Sequence, residues 1–335
     1  MTNIKEKTII VVAEIEADTI KKNVNANNDS LAVVENDYEQ TTEEQEPLDA
    51  EPIDMSALSE GISVIEIVEM ILNSRYVFRY NEVTGVMEFR SIWESEFKEF
   101  TDRELNSIHR ILQKKKIKFS ITNLNNLIFS NFSKRYNPFI EYFNSLPEWD
   151  NTTDYIYELA NTVKTTNPEL WQKCFRKWII AATACVLYPD ITNQTAIVFA
   201  GGQGIGKTTW MENLCPENLK RYMFSGTINP TNKDTVINLS ECWFVNLDEL
   251  ENMNRTEIGT LKEIITKTNI RIRRPYGKIS ESLPRRASFM ASVNNAEFLN
   301  DPTGSRRFLC FEALDIEYLD IPRKEDHLFR SKLYR

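Results

Sequence analysis

The chain has few of the residues that build metal or disulfide frameworks. It holds two histidines and five cysteines, Cys174, Cys185, Cys215, Cys242 and Cys310. No two cysteines form a C-x-x-C pair, and His109 and His327 are isolated, which argues against a zinc site and a disulfide scaffold. Cys242 and Cys310 border apolar, strand-like runs and read as buried thiols. No apolar run approaches the ~20 residues of a membrane helix. The N-terminal "TIIVVA" is too short for a secretory signal and is followed by Glu14 and Glu16. A cytoplasmic protein with no membrane partner is expected.

Only ten glycines occur, and four of them fall in "GGQGIG", residues 201–206. The 335 residues suffice for more than one domain. The net charge of −9 is unevenly spread: residues 1–60 hold 15 acids and 4 bases, and the remaining 275 hold 34 acids and 36 bases. The acidity belongs to the first segment, so it does not exclude a nucleic-acid partner for the rest.

Residues 1–60, rich in Glu, Asp, Asn and Thr, read as a disordered acidic tail. Residues 61–136 read as a small α+β accessory module. "VIEIVEMIL" has helical period, and "YVFRYNEVTGVMEFR" alternates on both sides of "EVTG", as a hairpin does. Thr101 and Glu104 form a capping box before the next helix, and "SITNLNNLIFSNF" supplies another. The basic run Lys114 to Lys118 is either a solvated helix end or a nucleic-acid contact. Residues 137–191 read as a helical region packed on the following core. There Trp171, Cys174, Phe175, Trp178, Ala182 and Cys185 recur at helical spacing. Residues 192–335 alternate apolar runs with helical stretches, the pattern of an α/β sheet.

The strand-like "AIVFA" leads into Gly201, Gly202, Gln203, Gly204, Ile205, Gly206, Lys207, Thr208 and Thr209. Gly201, Gly206, Lys207 and Thr208 satisfy the phosphate-loop pattern. Its glycines let backbone N–H groups turn onto phosphate oxygens, Lys207 reaches the β- and γ-phosphates of ATP, and Thr208 ligates Mg²⁺. A neighbouring strand is expected to carry the metal-side carboxylate, and "CWFVNLDEL" ends in Asp248 for the metal and Glu249 to orient water. A third strand, "RRASFMASVNN", ends in Ser292, Asn294 and Asn295, where an amide can hold the water or the γ-phosphate. Arg306 and Arg307 follow the turn "PTGS" and suit a transition-state finger. Between these motifs, residues 261–290 carry 8 bases and 2 acids. "NIRIRRPYGKI" reads as a hairpin with Pro275-Tyr276-Gly277 at its tip, and Arg273, Arg274, Tyr276 and Lys278 suit contact with single-stranded DNA.

Together "YNPFIEYFNSLPEWD", "CFRKWIIAATACVLYP", "GGQGIGKTTW", "FVNLDEL", "RRPYGK", "FMASVNN" and "DPTGSRRF" resemble, in order, the virulence-associated protein E family. That family is related to the superfamily 3 helicases within the AAA+ group. The resemblance covers roughly residues 70–315. It implies a P-loop ATPase core, Walker A roles for Lys207 and Thr208, and Walker B roles for Asp248 and Glu249. It further implies a sensor role for Asn294, a finger role for Arg306 or Arg307, and Lys278 on a hairpin facing a central channel. Hexamers, and replication of a phage or mobile element beside a primase, are also implied. The expected activity is ATP hydrolysis driving movement on single-stranded DNA. The other reading is a nucleotide-dependent switch that controls assembly with a primase or another partner, without strand translocation.

Overall fold

The structure is a computed structural model that describes residues 62–147, 154–228, 232–248, 250–274, 280–294 and 305–317. The acidic segment 1–60, Glu249, Tyr276, Lys278, Asn295 and the turn before Ser305 lie outside the described residues.

The first elements build a small four-stranded sheet. Helix α1 (Val64–Asn73) opens on Ser63, which forms a capping box with Glu66. Strands β1 (Tyr76–Asn81) and β2 (Val86–Ser91) pair antiparallel around the "EVTG" turn, with Asn81 opposite Val86. After β3 (Lys98–Glu99) come α2 (Asp102–Lys114), capped by Thr101 and Glu104 as expected, and α3 (Ile121–Ile128). β4 (Lys134–Tyr136) then lies parallel to β1, giving the order β3-β2-β1-β4. Phe78, Phe89 and Phe100 pack ring against ring, with Phe132 beside Phe78. Each buried ring or branched side chain contributes about 1.5–3 kcal/mol.

Helices α4 (Pro138–Ser145), α5 (Tyr155–Ala160) and α6 (Pro168–Leu187) cover the larger sheet. That sheet contains β5 (Val163–Thr165), β6 (Ala196–Ala200), β7 (Met223–Gly226), β8 (Phe244–Leu247), β11 (Ser288–Val293) and β12 (Phe308–Ile316). Its order is β5-β12-β6-β11-β8-β7, and every pair is parallel except β5 with β12. Between these strands run α7 (Lys207–Asn213), α8 (Lys233–Glu241) and α9 (Arg255–Thr266). A side hairpin pairs β9 (Asn269–Ile272) with β10 (Glu281–Pro284).

The near-continuous apolar strands follow from burial on both faces. Along β6, Ile197 and Phe199 face a cluster containing Trp171, Phe175, Trp178, Trp210 and Trp243, whereas Ala196, Val198 and Ala200 face one containing Leu247, Ile264, Ile270 and Phe289. The four indoles keep partners despite burial. Trp171 donates to Ala160 O at 2.8 Å, Trp178 to Thr195 O at 3.2 Å, Trp210 to Thr162 Oγ1 at 2.7 Å and Trp243 to Ala182 O at 3.0 Å.

The fully buried Arg285 joins α9 to the starts of β6 and β11. It donates to the carbonyls of Lys267 and Asn193 at 2.8 Å, of Ile265 at 3.0 Å, and of Ala287. Burial pushes its pKa down to about 10, and the carbonyls satisfy the guanidinium where no carboxylate bonds to it among the described residues. Cys242 is buried and its thiol is pushed up to about 12; Cys310 is half-buried and pushed up to about 11, in both cases by desolvation.

Two sequence expectations change. The acid-bearing β8 does not neighbour β6: β11 lies between them, because β11 pairs with both. And Arg274, expected at the nucleic-acid face, points inward. It is 9% exposed, donates to Val83 O at 3.0 Å and pairs with Glu241 at 3.3 Å, so its charge is spent on the accessory module and α8.

Candidate nucleotide site

The carboxyl ends of β6 and β11 meet at one level, and β8 beside them ends two residues earlier. Val293 pairs with Ala200 and Ala291 with Leu247, so Gly201 and Asn294 emerge side by side from β6 and β11, and Asp248 leaves β8 at the level of Ser292. This edge of an open parallel sheet is where such folds place their ligand crevices. A cavity of about 420 Å³ opens there, lined by Gln203, Gly204, Gly206, Lys207, Thr208, Thr209, Asp248, Ser292 and Asn294.

Gly206 precedes α7 with φ +90, a left-handed conformation that a side chain strains to adopt. The turn therefore swings Lys207 back over its own loop. Its Nζ donates to Gly201 O at 2.7 Å and Gly202 O at 2.8 Å. An ammonium carries three protons, so one remains for a ligand. Burial lowers the Lys207 pKa, and the charge of Glu251 opposes that shift.

Thr208 Oγ1 donates to Asp248 Oδ1 at 3.1 Å. A hydroxyl against a carboxylate at the cavity wall is a donor set of hard oxygens, which fits Mg²⁺. Opposite it, Asn294 donates to Glu251 through its backbone N–H at 2.5 Å and its amide Nδ2 at 2.7 Å. Glu251 escaped the sequence reading. The available signal was a third acid three residues beyond Asp248, in a short helical turn (Leu250–Asn252).

Of the expected loop residues, Gln203, Gly204, Gly206, Lys207, Thr208 and Thr209 line the cavity, and Gly201 and Gly202 supply the carbonyls that hold Lys207. Ile205 packs instead against the aromatic core cluster. Arg306 and Arg307 are not brought to the cavity. They precede Phe308, which pairs with Ala196 at the far end of β6, and four residues of strand span ~13 Å. Arg306 is exposed and Arg307 half-buried. Arg273 is exposed next to the inward Arg274.

A family model for the virulence-associated protein E-like domain matches residues 143–333. Among solved structures, the A-form apo structure of the NrS-1 C-terminal region aligns with a TM-score of 0.53 at 14% identity, covering 81% of this chain and 69% of that one. The apo structure of NrS-1 residues 305–718 aligns with a TM-score of 0.50 at 15% identity, over 82% and 72% of the two chains. These likenesses show a shared fold. No curated protein matches the chain. Among the described residues no helix is long and apolar enough to cross a membrane.

Proposed function

This chain belongs to the virulence-associated protein E-like family, and from that premise we propose that it is an ATP-hydrolysing, helicase-like motor acting on single-stranded DNA. The observation that carries the reading is the convergence of the Lys207 ammonium, the Thr208–Asp248 pair and the Asn294 amide on one cavity at the strand ends. A triphosphate needs positive charge and amide donors along its oxygens, and a divalent cation needs hard oxygen ligands beside them.

In this reading the remaining proton of Lys207 binds the β/γ oxygens, while backbone N–H groups of residues 203–206 cradle the rest. Thr208 and Asp248 hold Mg²⁺, which when bound supplies charge neutralisation at the phosphates. Glu249 accepts the proton side of the attacking water. Glu251 keeps the Asn294 amide turned toward that position. Arg306 or Arg307 serves the site of a neighbouring subunit, which calls for a ring; the family resemblance implies a hexamer. Arg273, Tyr276 and Lys278 on the basic hairpin contact the DNA backbone and bases. A cytoplasmic setting in replication of a phage or mobile element, beside a primase, completes the proposal.

One observation favours the switch alternative. Arg274, two residues beyond the tip-side end of β9, ties the hairpin to the accessory module, a linkage through which nucleotide state could govern assembly rather than translocation. Measuring ATP turnover with and without single-stranded DNA, with Lys207→Ala as blank, separates the readings. DNA-stimulated turnover supports the motor. Slow turnover indifferent to DNA supports the switch. No turnover above the blank removes both the motor and the catalytic assignment.

A further inference from the structure

The accessory module carries a second cavity, of about 570 Å³, lined by Tyr80, Phe129, Ser130, Asn131, Ser133, Lys134 and Arg135. It lies outside the residues matched by the family model, which begin at 143. We propose that it is a second single-stranded nucleic-acid site, in which one base stacks between Tyr80 and Phe129 and the flanking phosphates meet Lys134 and Arg135. The proposal takes from the previous section only that single-stranded nucleic acid is the partner, and it does not need the motor.

Charge is the first argument. From Leu105 to Tyr136 the chain holds seven bases and no acid. These residues form α2 from its second turn, α3 and β4, so the uncompensated charge covers one contiguous piece of structure. Glu82 approaches Arg135 at 3.5 Å, but Arg135 is 81% exposed, so that pair holds its guanidinium weakly. No ion pair involves Lys134 among the described residues. The run Lys114 to Lys118 stands before α3, whose eight residues span ~12 Å, and the cavity opens after it. A strand of nucleic acid laid along α3 would meet cations at both ends.

The aromatic geometry is the second argument. Phe129 ends α3, is half exposed and lines the cavity, so its ring is accessible to a base. Tyr80 stands in register beside Arg135 across the β1–β4 pair. An aromatic face beside a guanidinium suits a base and its phosphate. The rim is also built in advance. Ser130 Oγ donates to Leu127 O and Ser133 Oγ to Ile128 O, both at 2.6 Å, and Phe132 N donates to Ser130 Oγ at 3.2 Å. A preformed rim loses little entropy on binding.

The test uses the full chain carrying Lys207→Ala, without nucleotide, and the fluorescence anisotropy of a labelled oligothymidylate. Phe129→Ala should weaken binding about tenfold, within the range for one base–aromatic stack. Lys134→Gln with Arg135→Gln should flatten the plot of log K against log salt by about 1.4, two single-strand phosphate contacts. Arg273→Ala, run in parallel, reports the hairpin separately. Thermal melts check that each variant folds, and an iodouracil photocrosslink mapped on the unmutated chain gives the contact without substitution.

Crosslinks within residues 80–135 support the site. Affinity and salt slope unchanged by all three accessory substitutions, loss only with Arg273→Ala, or crosslinks confined to other residues would each overturn it. So would a polyglutamate competitor that displaces the oligonucleotide as well as unlabelled DNA does, since the occupant would then be an acidic protein. Because no nucleotide is present, failure of DNA to stimulate turnover removes the motor and leaves this site standing.

Discussion

Glu251 grips Asn294 at two points, the backbone N–H at 2.5 Å and the amide nitrogen at 2.7 Å. A loop acid thus orients the residue at the end of the central strand of the site. Both bonds are exposed to solvent, so they fix an orientation more than they add stability. Glu251→Ala is expected to cut ATP turnover about tenfold or more while fluorescent-nucleotide affinity changes little. Glu251→Gln retains an acceptor and should fall between. Equal turnover in all three proteins would show that the orientation of Asn294 is immaterial to hydrolysis.

Arg273 and Arg274 are neighbours with opposite exposure, the first exposed and the second buried. Arg274→Ala breaks a buried pair with Glu241 and a bond to the Val83 carbonyl, and should destabilise the fold by about 3–5 kcal/mol in urea unfolding. Its effect on the salt slope of DNA binding should be nil. Arg273→Ala should leave unfolding unchanged and flatten that slope by about 0.7. Gly85 gives an independent check. It has φ +71, and a Cβ there would lie 2.5 Å from the Arg274 guanidinium, so Gly85→Ala should destabilise both through backbone strain and by displacing Arg274.

The acid partner of Arg274 sets a pH dependence. Burial raises the Glu241 pKa from 4.5 to about 7, outweighing Arg274, Arg221 and Arg286. The folded state therefore holds this proton more tightly than the unfolded chain. The contribution is favourable below 4.5, is lost as pH rises to about 7, and is flat above that. Unfolding free energy measured across this range should fall with pH more steeply in the parent than in Glu241→Gln. Parallel curves would mean that the carboxyl is charged throughout.

Some of this was legible in the chain and some was not. The loop from Gly201 to Thr208 could be read because its geometry is local: a strand, a glycine turn and a helix in one run. Asp248 could be read as a strand end, but not the order of strands, since the insertion of β11 between β6 and β8 is a pairing between distant segments. The burial of Arg274 did have a signal. Ile270 and Ile272 are buried and Arg271 exposed, and extending that alternation points Arg273 outward and Arg274 inward. The basic run over the same residues masks that period of two. Glu251 had only the signal of a third acid close to Asp248, because its role depends on where a turn and a distant strand end meet.

The same sheet geometry bears on Arg306 and Arg307. Arg306 and Arg307 enter β12 beside Ala196, whereas the loop leaves β6 after Ala200, ~13 Å along the strand. An arginine side chain does not cover that distance and also turn the end of a sheet. Hydrolysis that depends on either arginine must then use the arginine of a neighbouring subunit. Arg306, being exposed, is available for such a contact, whereas Arg307 is half-buried. Arg306→Ala is accordingly expected to lose turnover while keeping nucleotide affinity. Mixing Arg306→Ala with Lys207→Ala should restore part of the rate, because the intact loop of the first then faces the intact finger of the second. The assay belongs at high protein concentration with ATP and DNA present, with mixed rings verified by mass. Proven mixed rings without any recovered turnover would leave Arg306 without a catalytic role in either chain.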